Sequence, residues 1–322
     1  MLEGEHGRQR KEVRKLVHWL ASEARPDIVH LSNAMLLGMA REIRKLGVPV
    51  VCSLSGEDIF LEKLSEPFYS RARAALRERA AEVEVFVALN NYYADFMADY
   101  MAVPRARIHV IPHGINLDGH ATRQDATDQP FTIGYMARIC PEKGLHNLIA
   151  AIELLRDDES LPPFRVRAAG YLGALDRPYL ETVQKQVDRW NDPDAFQYLG
   201  ELTRGEKIAF LQSLNVMSLP TVYHESKGLS VIEAWANALC VVLPRHGAFP
   251  EMVEQTAGGV LHEPGNPAAL AKVLAHLLRN PGLATELGLR GRQGVLQHFT
   301  APLMAQKTRE LHQQVCAQRV RS

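Results

Sequence analysis

Cysteine is scarce in this chain, and the few cysteines present lie far apart. No pair has CxxC spacing, and no cysteine has a histidine at CxxH spacing. Structural zinc sites and disulfide-rich scaffolds depend on closely spaced groups of this kind. Both are therefore excluded, and free buried thiols are expected in the apolar runs. The four cysteines are Cys52, Cys140, Cys240 and Cys316.

A net charge is also lacking, because 37 lysines and arginines balance 37 aspartates and glutamates. No broad basic field would attract nucleic acid or an anionic membrane. One local cluster of arginines is interspersed with glutamates, which favours a solvated helix face over a binding patch. Its arginines are Arg71, Arg73, Arg77 and Arg79.

Long apolar runs are missing as well. None reaches the ~18 residues that a membrane-spanning helix needs, and the first residues are charged, unlike those of a signal peptide. These absences predict a cytoplasmic protein and leave open one that rests on a membrane surface. The 322 residues, of which 46% are hydrophobic and 23% charged, are sufficient for about two globular domains.

Short apolar, β-branched runs alternate with stretches of helical period along the first part of the chain. This rhythm predicts βαβ units and a parallel sheet that is buried on both faces. The predicted strands are Asp27–Leu31, Val48–Leu54, Val83–Leu89 and Ile108–Pro112. The predicted helices are Arg10–Glu23, Met35–Leu46, Pro67–Glu82 and Tyr92–Met101.

Residues 113–129 are polar and turn-rich, and the alternation restarts at Phe131. The predicted strands of this second part are Phe131–Met136, Phe164–Ala168, Phe196–Leu199, Val216–Leu219, Cys240–Leu243 and Gly259–Leu261. Its predicted helices are Gly144–Leu155, Pro178–Trp190, Arg204–Leu214, Leu229–Ala238, Pro267–Leu278, Asn280–Phe299 and Leu303–Val320.

The predicted fold class is therefore α/β, with two Rossmann-like domains. We place the first domain at residues 1–122, the second at 123–300, and a terminal helix at 301–322 that returns to the first. Ligands of open parallel sheets bind outside the carboxyl ends of the strands. The residues that follow each strand are therefore the candidate site residues.

The stretch Ser218–Glu233 reads as a strand, a loop and a helix. Gly228 would let a ligand approach the backbone closely, and the helix that follows would offer the free amides of Leu229 and Ser230 to an anion. Glu225 in the loop could accept hydrogen bonds from sugar hydroxyls, and Glu233 could clamp a ribose. The plainer alternative is a strand–turn–helix with two solvated glutamates.

The stretch Gly134–Gly144 carries two cations after a strand end. The guanidinium of Arg138 and the ammonium of Lys143 could converge on a diphosphate and stabilise the charge of a leaving group. Surface charge, with Glu142 paired to a neighbour, is the plainer alternative.

Together these stretches resemble the retaining glycosyltransferases of family 4, which have the GT-B fold of two facing Rossmann-like domains. The family's glutamate pair, separated by seven residues, matches Glu225 and Glu233, and its R-x4-K pair matches Arg138 and Lys143. The resemblance extends to PDIVHLSNA, to RIHVIPHGIN and, with one extra residue, to the G-x-P-E turn at Gly247–Glu251.

The resemblance implies a hexosyltransferase that moves a sugar from a nucleoside diphosphate to a hydroxyl acceptor with retention, without cofactor or metal. Glu225 would contact the donor sugar, Glu233 the ribose, and Arg138 and Lys143 the diphosphate. Gly228, Leu229, Ser230 and Lys227 would assist at the phosphates or sugar, and Gly170, Leu199 and Gly200 would border the nucleoside. The acceptor stays open among saccharides, lipids and small molecules.

The chain departs from this family in three places. About three strands and two helices that normally begin the first domain are expected to be missing. Ser55 stands where the family commonly has a histidine, with Glu57 and Asp58 as alternative carboxylates. Ala238 replaces a usual glycine, and Asn237 could take the left-handed conformation instead.

Two further hypotheses follow from the missing segment and from the fold. A chain without a complete acceptor domain could be a non-catalytic nucleotide-sugar-binding partner protein, and a sugar-nucleotide epimerase or hydrolase would use the same fold. Asp192-Pro193-Asp194, the chain's DxD sequence, reads as an ordinary turn. His113, His224 and His246 have a minor chance of contacting substrate.

Overall fold

The computed structural model describes residues 2–57, 61–122 and 130–320. The chain divides into two compact units, Met1–His113 with Ala301–Ser322, and Gly114–Thr300. The first unit ends earlier than the predicted boundary at residue 122. Residues after His113 belong to the second unit because Ile115 donates its N–H to the carbonyl of Phe299 and forms a parallel bridge with Thr300.

The first unit contains a parallel sheet in the order β1-β2-β3-β4. Every predicted strand of this part is present, and each is shorter than predicted. The strands are β1 (Val29–Leu31), β2 (Val50–Ser53), β3 (Val85–Ala88) and β4 (Ile108–Val110).

The helices of the first unit are α1 (Arg10–Trp19), α2 (Ala40–Arg44), α3 (Phe68–Ala80), α4 (Asn91–Met101) and α12 (Ala301–Val320). The prediction of a single α-helix at Met35–Leu46 was wrong. Asn33 caps the N–H of Met35 and starts a 3-10 helix, Ala34–Met39, before the α-helical turn α2. The end of the helix predicted at Arg10–Glu23 is a π-helical turn, Leu20–Ala24.

The two faces of this sheet are covered differently. One face packs a large core that includes Leu37, Ile43 and Phe86, all fully buried. The other face packs against α12 through Leu311 and Val315, which contact Val51, Val87 and Ile111. The position of α12 is also fixed by a hydrogen bond of 3.0 Å between His30 Nδ1 and His312 Nε2.

The second unit contains a six-stranded parallel sheet in the order β10-β9-β8-β5-β6-β7. The strands are β5 (Phe131–Met136), β6 (Phe164–Ala169), β7 (Phe196–Tyr198), β8 (Val216–Ser218), β9 (Cys240–Pro244) and β10 (Gly259–His262). All six were predicted, β5 with both ends correct. The strand order reverses between β5 and β8, which is where ligands of such sheets bind.

The helices of the second unit are α5 (Leu145–Arg156), α6 (Arg177–Val187), α7 (Arg204–Gln212), α8 (Leu229–Ala236), α9 (Phe249–Thr256), α10 (Pro267–Arg279) and α11 (Pro281–His298). Local sequence fixes several of their starts. Thr203 and Glu206 form a capping box at α7, and Asn266 caps α10 with Pro267 at its first position. Helix α9 was not predicted, because Gly247–Glu251 was treated as a turn only.

The left-handed residue after α8 is Ala238, with φ of 55°, and the alternative at Asn237 was wrong, since its φ is −98°. The N–H of Leu239 reaches back to the carbonyl of Ala234, which closes the helix end. The Ala238 carbonyl also lies so close to α11 that a Cβ on Gly288 would be 2.0 Å from it. Packing therefore holds an alanine in a conformation that costs about 1 kcal/mol.

No helix in the described part of the chain is both long enough and apolar enough to cross a membrane.

Candidate functional site

The predicted site residues of the second unit follow the carboxyl ends of four strands, β5, β6, β7 and β8. Because these strands are parallel, their carboxyl ends lie along one edge of the sheet. The loops after β5 and β8 flank the point where the strand order reverses. The loop after β8 and the start of α8 carry the glutamate-containing stretch.

The loops after β5 and β8 contact each other through a glycine. Gly144 has φ of +75°, and a Cβ there would lie 1.9 Å from the carbonyl oxygen of Pro220. Only glycine permits this approach. The N–H of Val222 also donates to the carbonyl of Glu142 at 2.9 Å. These contacts hold Lys143, at the end of a short 3-10 turn, against the loop after β8.

Lys143, Tyr223 and Glu225 form a closed hydrogen-bonded triad. Lys143 Nζ donates to the Tyr223 hydroxyl at 2.5 Å and to Glu225 Oε2 at 2.6 Å. The Tyr223 hydroxyl in turn donates to the same carboxylate oxygen at 2.6 Å. The ammonium also lies 4.8 Å from the centre of the Tyr223 ring. The Glu225 side chain is 7% exposed and that of Lys143 19% exposed, so this is a nearly buried ion pair.

The triad fixes the charges of its members. Burial on its own would raise the pKa of Glu225, but the Lys143 ammonium and the hydrogen bonds hold that pKa below its ordinary value. Burial raises the pKa of Tyr223, and the neighbouring carboxylate raises it further. At neutral pH Glu225 is therefore a carboxylate and Tyr223 a neutral phenol.

Arg138 lies in the same loop as Lys143, with its side chain exposed. Its Nε donates to the sulfur of buried Cys140 at 3.4 Å, which contributes to a raised pKa of the guanidinium. The positive charge of Arg138 is near enough to act on the pKa of Tyr223. The structure thus brings Arg138 close to the triad without a direct contact to Glu225.

The start of α8 presents backbone amides beside the triad. Gly228, with φ of +63°, precedes α8, and the first helical hydrogen bonds are donated by Val231 and Ile232. The amides of Leu229 and Ser230 precede that ladder and are available to a ligand. The N–H of Lys227 donates to Glu225 Oε1 at 3.1 Å, and its side chain is exposed.

Glu233 lies one turn into α8, where it forms a second ion pair. Lys207 of α7 donates to Glu233 Oε1, and the carboxylate side chain is 13% exposed. Asn237 donates to the carbonyl of Glu233 and bonds with His120 at 2.8 Å. Burial lowers the pKa of His120, so that this neighbour is uncharged at neutral pH.

The loops after β6 and β7 are joined by hydrogen bonds. The N–H of Gly170 donates to the Gly200 carbonyl at 2.8 Å, and the Tyr198 hydroxyl donates to the Gly170 carbonyl at 2.6 Å. A Cβ on Gly170 would lie 1.8 Å from the carbonyl oxygen of Ala137, which requires glycine. Leu199 is 39% exposed, and the space beside Gly200 is open.

Two residues of this site were missed by the sequence analysis. Tyr223 bridges Lys143 and Glu225, and its position two residues before Glu225 in the same loop was an available signal. Lys207, which pairs with Glu233, had no such signal, because the two residues meet only when α7 packs beside α8.

At the carboxyl edge of the first unit, the Glu57 carboxylate accepts hydrogen bonds from backbone N–H groups and from the Ser55 hydroxyl, the latter at 3.4 Å. Glu57, 3% exposed, accepts from the N–H groups of Ala34 and Ser55 at 3.0 and 2.7 Å. The Tyr93 hydroxyl donates to Glu57 at 3.1 Å and accepts from the N–H of Gly56. The alternative carboxylate, Asp58, lies outside the described residues.

Three other candidate residues make contacts within the fold. The rings of His224 and His246 stack with centres 4.8 Å apart, and His246 Nε2 bonds with the Thr221 carbonyl. Asp192 forms a turn before β7 and pairs with Arg156 at 3.2 Å. Within residues 2–57, 61–122 and 130–320, no group of three or more histidine, cysteine, aspartate or glutamate side chains could hold a metal ion.

The second unit is a parallel α/β sheet whose strand order reverses beside an ion pair and the amides that start a helix. This arrangement is typical of Rossmann-like ligand-binding proteins. The profile of the family described as glycosyl transferases group 1 matches residues 121–294, and that of glycosyltransferase family 4 matches residues 2–118. The chain belongs to the glycosyl transferases group 1 family, as the sequence predicted.

Curated relatives include alpha-maltose-1-phosphate synthase of Mycobacterium tuberculosis, 28% identical over 258 residues. That match covers 74% of this chain and 64% of the relative, so the chain spans less than two thirds of the relative's length. The MMP alpha-(1->4)-mannosyltransferase of Mycolicibacterium hassiacum is 23% identical over 304 residues, which cover 90% of this chain and 71% of that protein.

Solved structures confirm the predicted GT-B fold class. HepE of Anabaena in complex with UDP superposes with a TM-score of 0.80 at 18% identity, covering 93% of this chain and 81% of that one. Sucrose-phosphate synthase of Thermosynechococcus elongatus gives a TM-score of 0.77 at 19% identity, covering 96% and 79%. At these identities the likeness concerns the fold alone.

Proposed function

We propose that this protein is a retaining glycosyltransferase that moves a hexose-like sugar from a nucleoside-diphosphate sugar to a hydroxyl group of an acceptor. The observation that carries the proposal is the Lys143–Tyr223–Glu225 triad at the reversal of strand order, beside the open start of α8. The relatives support it, because they are named as an alpha-maltose-1-phosphate synthase and a mannosyltransferase, and HepE was solved with UDP.

The donor diphosphate would bind between the loop after β5 and the start of α8. Lys143 has three N–H donors, two of which are used by Tyr223 and Glu225. The third donor, the fork of Arg138, and the amides of Leu229 and Ser230 would then bind phosphate oxygens. Such donors stabilise the charge that develops on a departing nucleoside diphosphate. Lys227, exposed beside Gly228, can reach the same phosphates or the sugar.

The two glutamates would bind the two ends of the donor. Glu225 remains ionised, with oxygens that can accept from sugar hydroxyls. Glu233 has acceptor capacity beyond its bond to Lys207 and would clamp the ribose. Gly170, Leu199 and Gly200 would border the nucleobase, whose identity stays open among uracil, guanine and adenine.

Acceptor binding would fall to the first unit, with a saccharide, a lipid or a small molecule as the alcohol. The alternative is a non-catalytic nucleotide-sugar-binding partner protein. The carboxyl edge of the first unit favours this alternative, because it offers no evident substitute for the family's histidine. Ser55 cannot titrate as a histidine does, and the Glu57 carboxylate already accepts hydrogen bonds from backbone N–H groups.

A thermal-shift panel of nucleosides, nucleoside diphosphates and their sugars tests the donor site, because a ligand of the native state raises stability. At least one sugar nucleotide should raise the melting temperature, and Glu233→Ala should weaken every such ligand. Transfer of a labelled sugar to an added alcohol then separates the transferase from the binder. Tight binding without turnover favours the binder, and donor conversion without an acceptor favours an epimerase or hydrolase.

The diphosphate assignment has its own test. Arg138→Ala combined with Lys143→Ala should abolish the preference for a nucleoside diphosphate over the free nucleoside. Lys185→Ala with Arg189→Ala, which removes two exposed cations from the same unit, is the matched control and should keep the preference. An unchanged preference in the first double variant would remove Arg138 and Lys143 from the phosphate site.

A further inference from the structure

A cavity of about 540 Å³ lies in the first unit, between α12 and the amino ends of β1 and β2. All of its lining residues belong to this unit. They lie at the end of the sheet opposite Ser55 and Glu57, which follow the carboxyl end of β2. Small-molecule sites commonly occupy cavities of about 300–1,000 Å³. At about 30 Å³ per water molecule, this cavity has room for a ligand of roughly 15 to 20 non-hydrogen atoms.

Helix α12 forms one wall of the cavity, and two side-chain contacts hold the helix in place. The Cys316 thiol donates to the carbonyl of Asp27 at 3.8 Å, which is a weak hydrogen bond. His312 Nε2 bonds with His30 Nδ1 at 3.0 Å. Apolar packing of α12 against the sheet adds to these contacts. The cavity is therefore part of the folded unit and does not need a ligand in order to form.

The segments that precede β1 and β2 give the cavity an apolar wall. Pro26, Val48 and Pro49 line this wall, and the two prolines have no N–H to offer. On the α12 side, His312 adds an uncharged ring at neutral pH, because burial lowers its pKa. The apolar part of a ligand would therefore leave water for a largely uncharged surface, which favours binding.

Two residues of opposite charge line the same cavity. Asp27 and Arg309 are both exposed. In the part of the chain that the structure describes, neither forms an ion pair with the other or with a third residue. An anionic ligand would be attracted by Arg309 and repelled by Asp27, and a cationic ligand would meet the reverse. One like charge at about 4 Å weakens binding roughly fivefold in water, whereas a zwitterion would be attracted by both residues.

We propose that this cavity binds a small apolar zwitterion of the size of a dipeptide. Its carboxylate would bind the guanidinium of Arg309, its ammonium group would bind the carboxylate of Asp27, and its side chains would pack against the wall formed by Pro26, Val48 and Pro49. This site is independent of the proposed donor site, because all its residues belong to the first unit and none follows the carboxyl end of a strand.

Calorimetry with three matched ligands tests the charge requirement. Leucyl-leucine carries both charges, leucyl-leucinamide lacks the carboxylate, and desamino-leucyl-leucine lacks the ammonium group. A ligand of this size should bind with a dissociation constant on the order of 0.1 mM. Each of the two singly charged ligands should bind about tenfold more weakly, because it loses one charge-assisted hydrogen bond.

Two substitutions assign each charge of the ligand to its residue. Arg309→Gln should bind leucyl-leucine and leucyl-leucinamide equally, and Asp27→Asn should bind leucyl-leucine and desamino-leucyl-leucine equally, since each variant lacks the matching charge. The controls are Lys307→Gln and Glu310→Gln, which remove charges of α12 from residues that do not line the cavity. Both controls should bind all three ligands as the wild type does, and all four variants should keep the wild-type melting temperature.

Cys316 reports whether the ligand occupies this cavity. It is partly exposed, whereas Cys52, Cys140 and Cys240 are buried, so N-ethylmaleimide should modify Cys316 first, and Cys316→Ser should remove this rapid modification. Leucyl-leucine at ten times its dissociation constant should slow the modification about tenfold. Nucleoside diphosphates should not slow it, so that a failure of the donor proposal would be seen separately.

Four results would each overturn the proposal. They are no binding of leucyl-leucine, equal binding of the three ligands to the wild type, binding that leaves the modification rate of Cys316 unchanged, and protection of Cys316 by inorganic phosphate but not by leucyl-leucine. The last result would show a site for anions alone.

Discussion

The carboxyl edges of the two sheets use their buried carboxylates in different ways. In the second unit, Glu225 faces a lysine ammonium and a phenol hydroxyl, side-chain groups that a ligand could share. In the first unit, Glu57 faces two backbone N–H groups and the Tyr93 hydroxyl, which itself accepts backbone N–H groups. One carboxylate belongs to a set of charged groups, and the other closes loops.

This difference indicates which edge is suited to binding a ligand and which edge stabilises the fold. A buried ion pair at a loop junction contributes little net stability, because desolvation offsets the attraction, and its presence favours a role in binding. A carboxylate that satisfies backbone amides contributes directly to the fold. Removing both charges of the ion pair should therefore affect activity more than stability, and removing Glu57 should affect stability alone.

The largest effect is expected from Lys143→Ala. It leaves Glu225 buried without its cation, which should lower the free energy of unfolding by about 3–5 kcal/mol. It also removes a proposed phosphate ligand, which should slow sugar transfer by about 10²–10³-fold. Urea denaturation and donor turnover measure the two effects.

The paired variant Lys143→Met with Glu225→Gln removes both charges and is the control. It should regain most of the stability while remaining inactive, because the two sites are coupled. If Lys143→Ala kept wild-type stability, the buried ion pair would not exist as described, and the contrast between the two edges would lose its basis.

The sheets were predictable from sequence because buried parallel strands read as short apolar runs. Phe131–Met136 has all six residues buried and was predicted with both ends correct. The type of a helix was harder to predict from sequence. The 3-10 helix Ala34–Met39 arises from the side-chain cap of Asn33 and from an i→i+3 bond between the Leu36 N–H and the Asn33 carbonyl, which apolar periodicity does not encode.

The site was predictable as far as strand ends determine it. Lys143 and Glu225 follow neighbouring parallel strands, so their approach follows from the topology. The phenol between them and the Lys207–Glu233 pair depend on side-chain rotamers and on the packing of α7 against α8. The left-handed Ala238 likewise depends on the close approach of Gly288 from a helix some fifty residues later.

A smaller effect, confined to stability, is expected from Glu57→Ala. The N–H groups of Ala34 and Ser55 and the Tyr93 hydroxyl would lose a buried acceptor, which should lower the free energy of unfolding by about 2–3 kcal/mol. Binding of nucleoside diphosphates should stay unchanged in calorimetry, since the proposed donor groups belong to the second unit.

Tyr93→Phe removes one member of the same network and should lower the free energy of unfolding by less, about 1–2 kcal/mol. A loss of nucleotide affinity in either variant would show that the first unit contributes to the donor site, and the assignment of Glu57 to scaffolding alone would be wrong.

The smallest effect concerns pH, through the histidine pair of the first unit. Burial, with the neighbouring His312, lowers the pKa of His30 to about 4 from an ordinary 6.5, and burial lowers the pKa of His312 as well. Between these values the unfolded chain binds a proton that the folded chain does not, so stability falls as pH decreases from 6.5 towards 4. The lowered pKa of Glu225 has its effect only below its ordinary value of 4.5.

Between pH 7 and pH 5 the free energy of unfolding should fall, and His30 should contribute about 1–2 kcal/mol of that decrease, allowing for its partial exposure. His30 bonds with His312 on α12 and with the Ser53 hydroxyl at 2.9 Å, so protonation places a charge between the sheet and α12. His30→Asn should be less stable at pH 7 and lose less on acidification, as measured by urea denaturation at both values. Burial also lowers the pKa of other histidines, including His246 and His262, so the difference between wild type and variant, rather than the total loss, measures the share of His30. An identical loss in both proteins would show that His30 contributes nothing to the acid sensitivity.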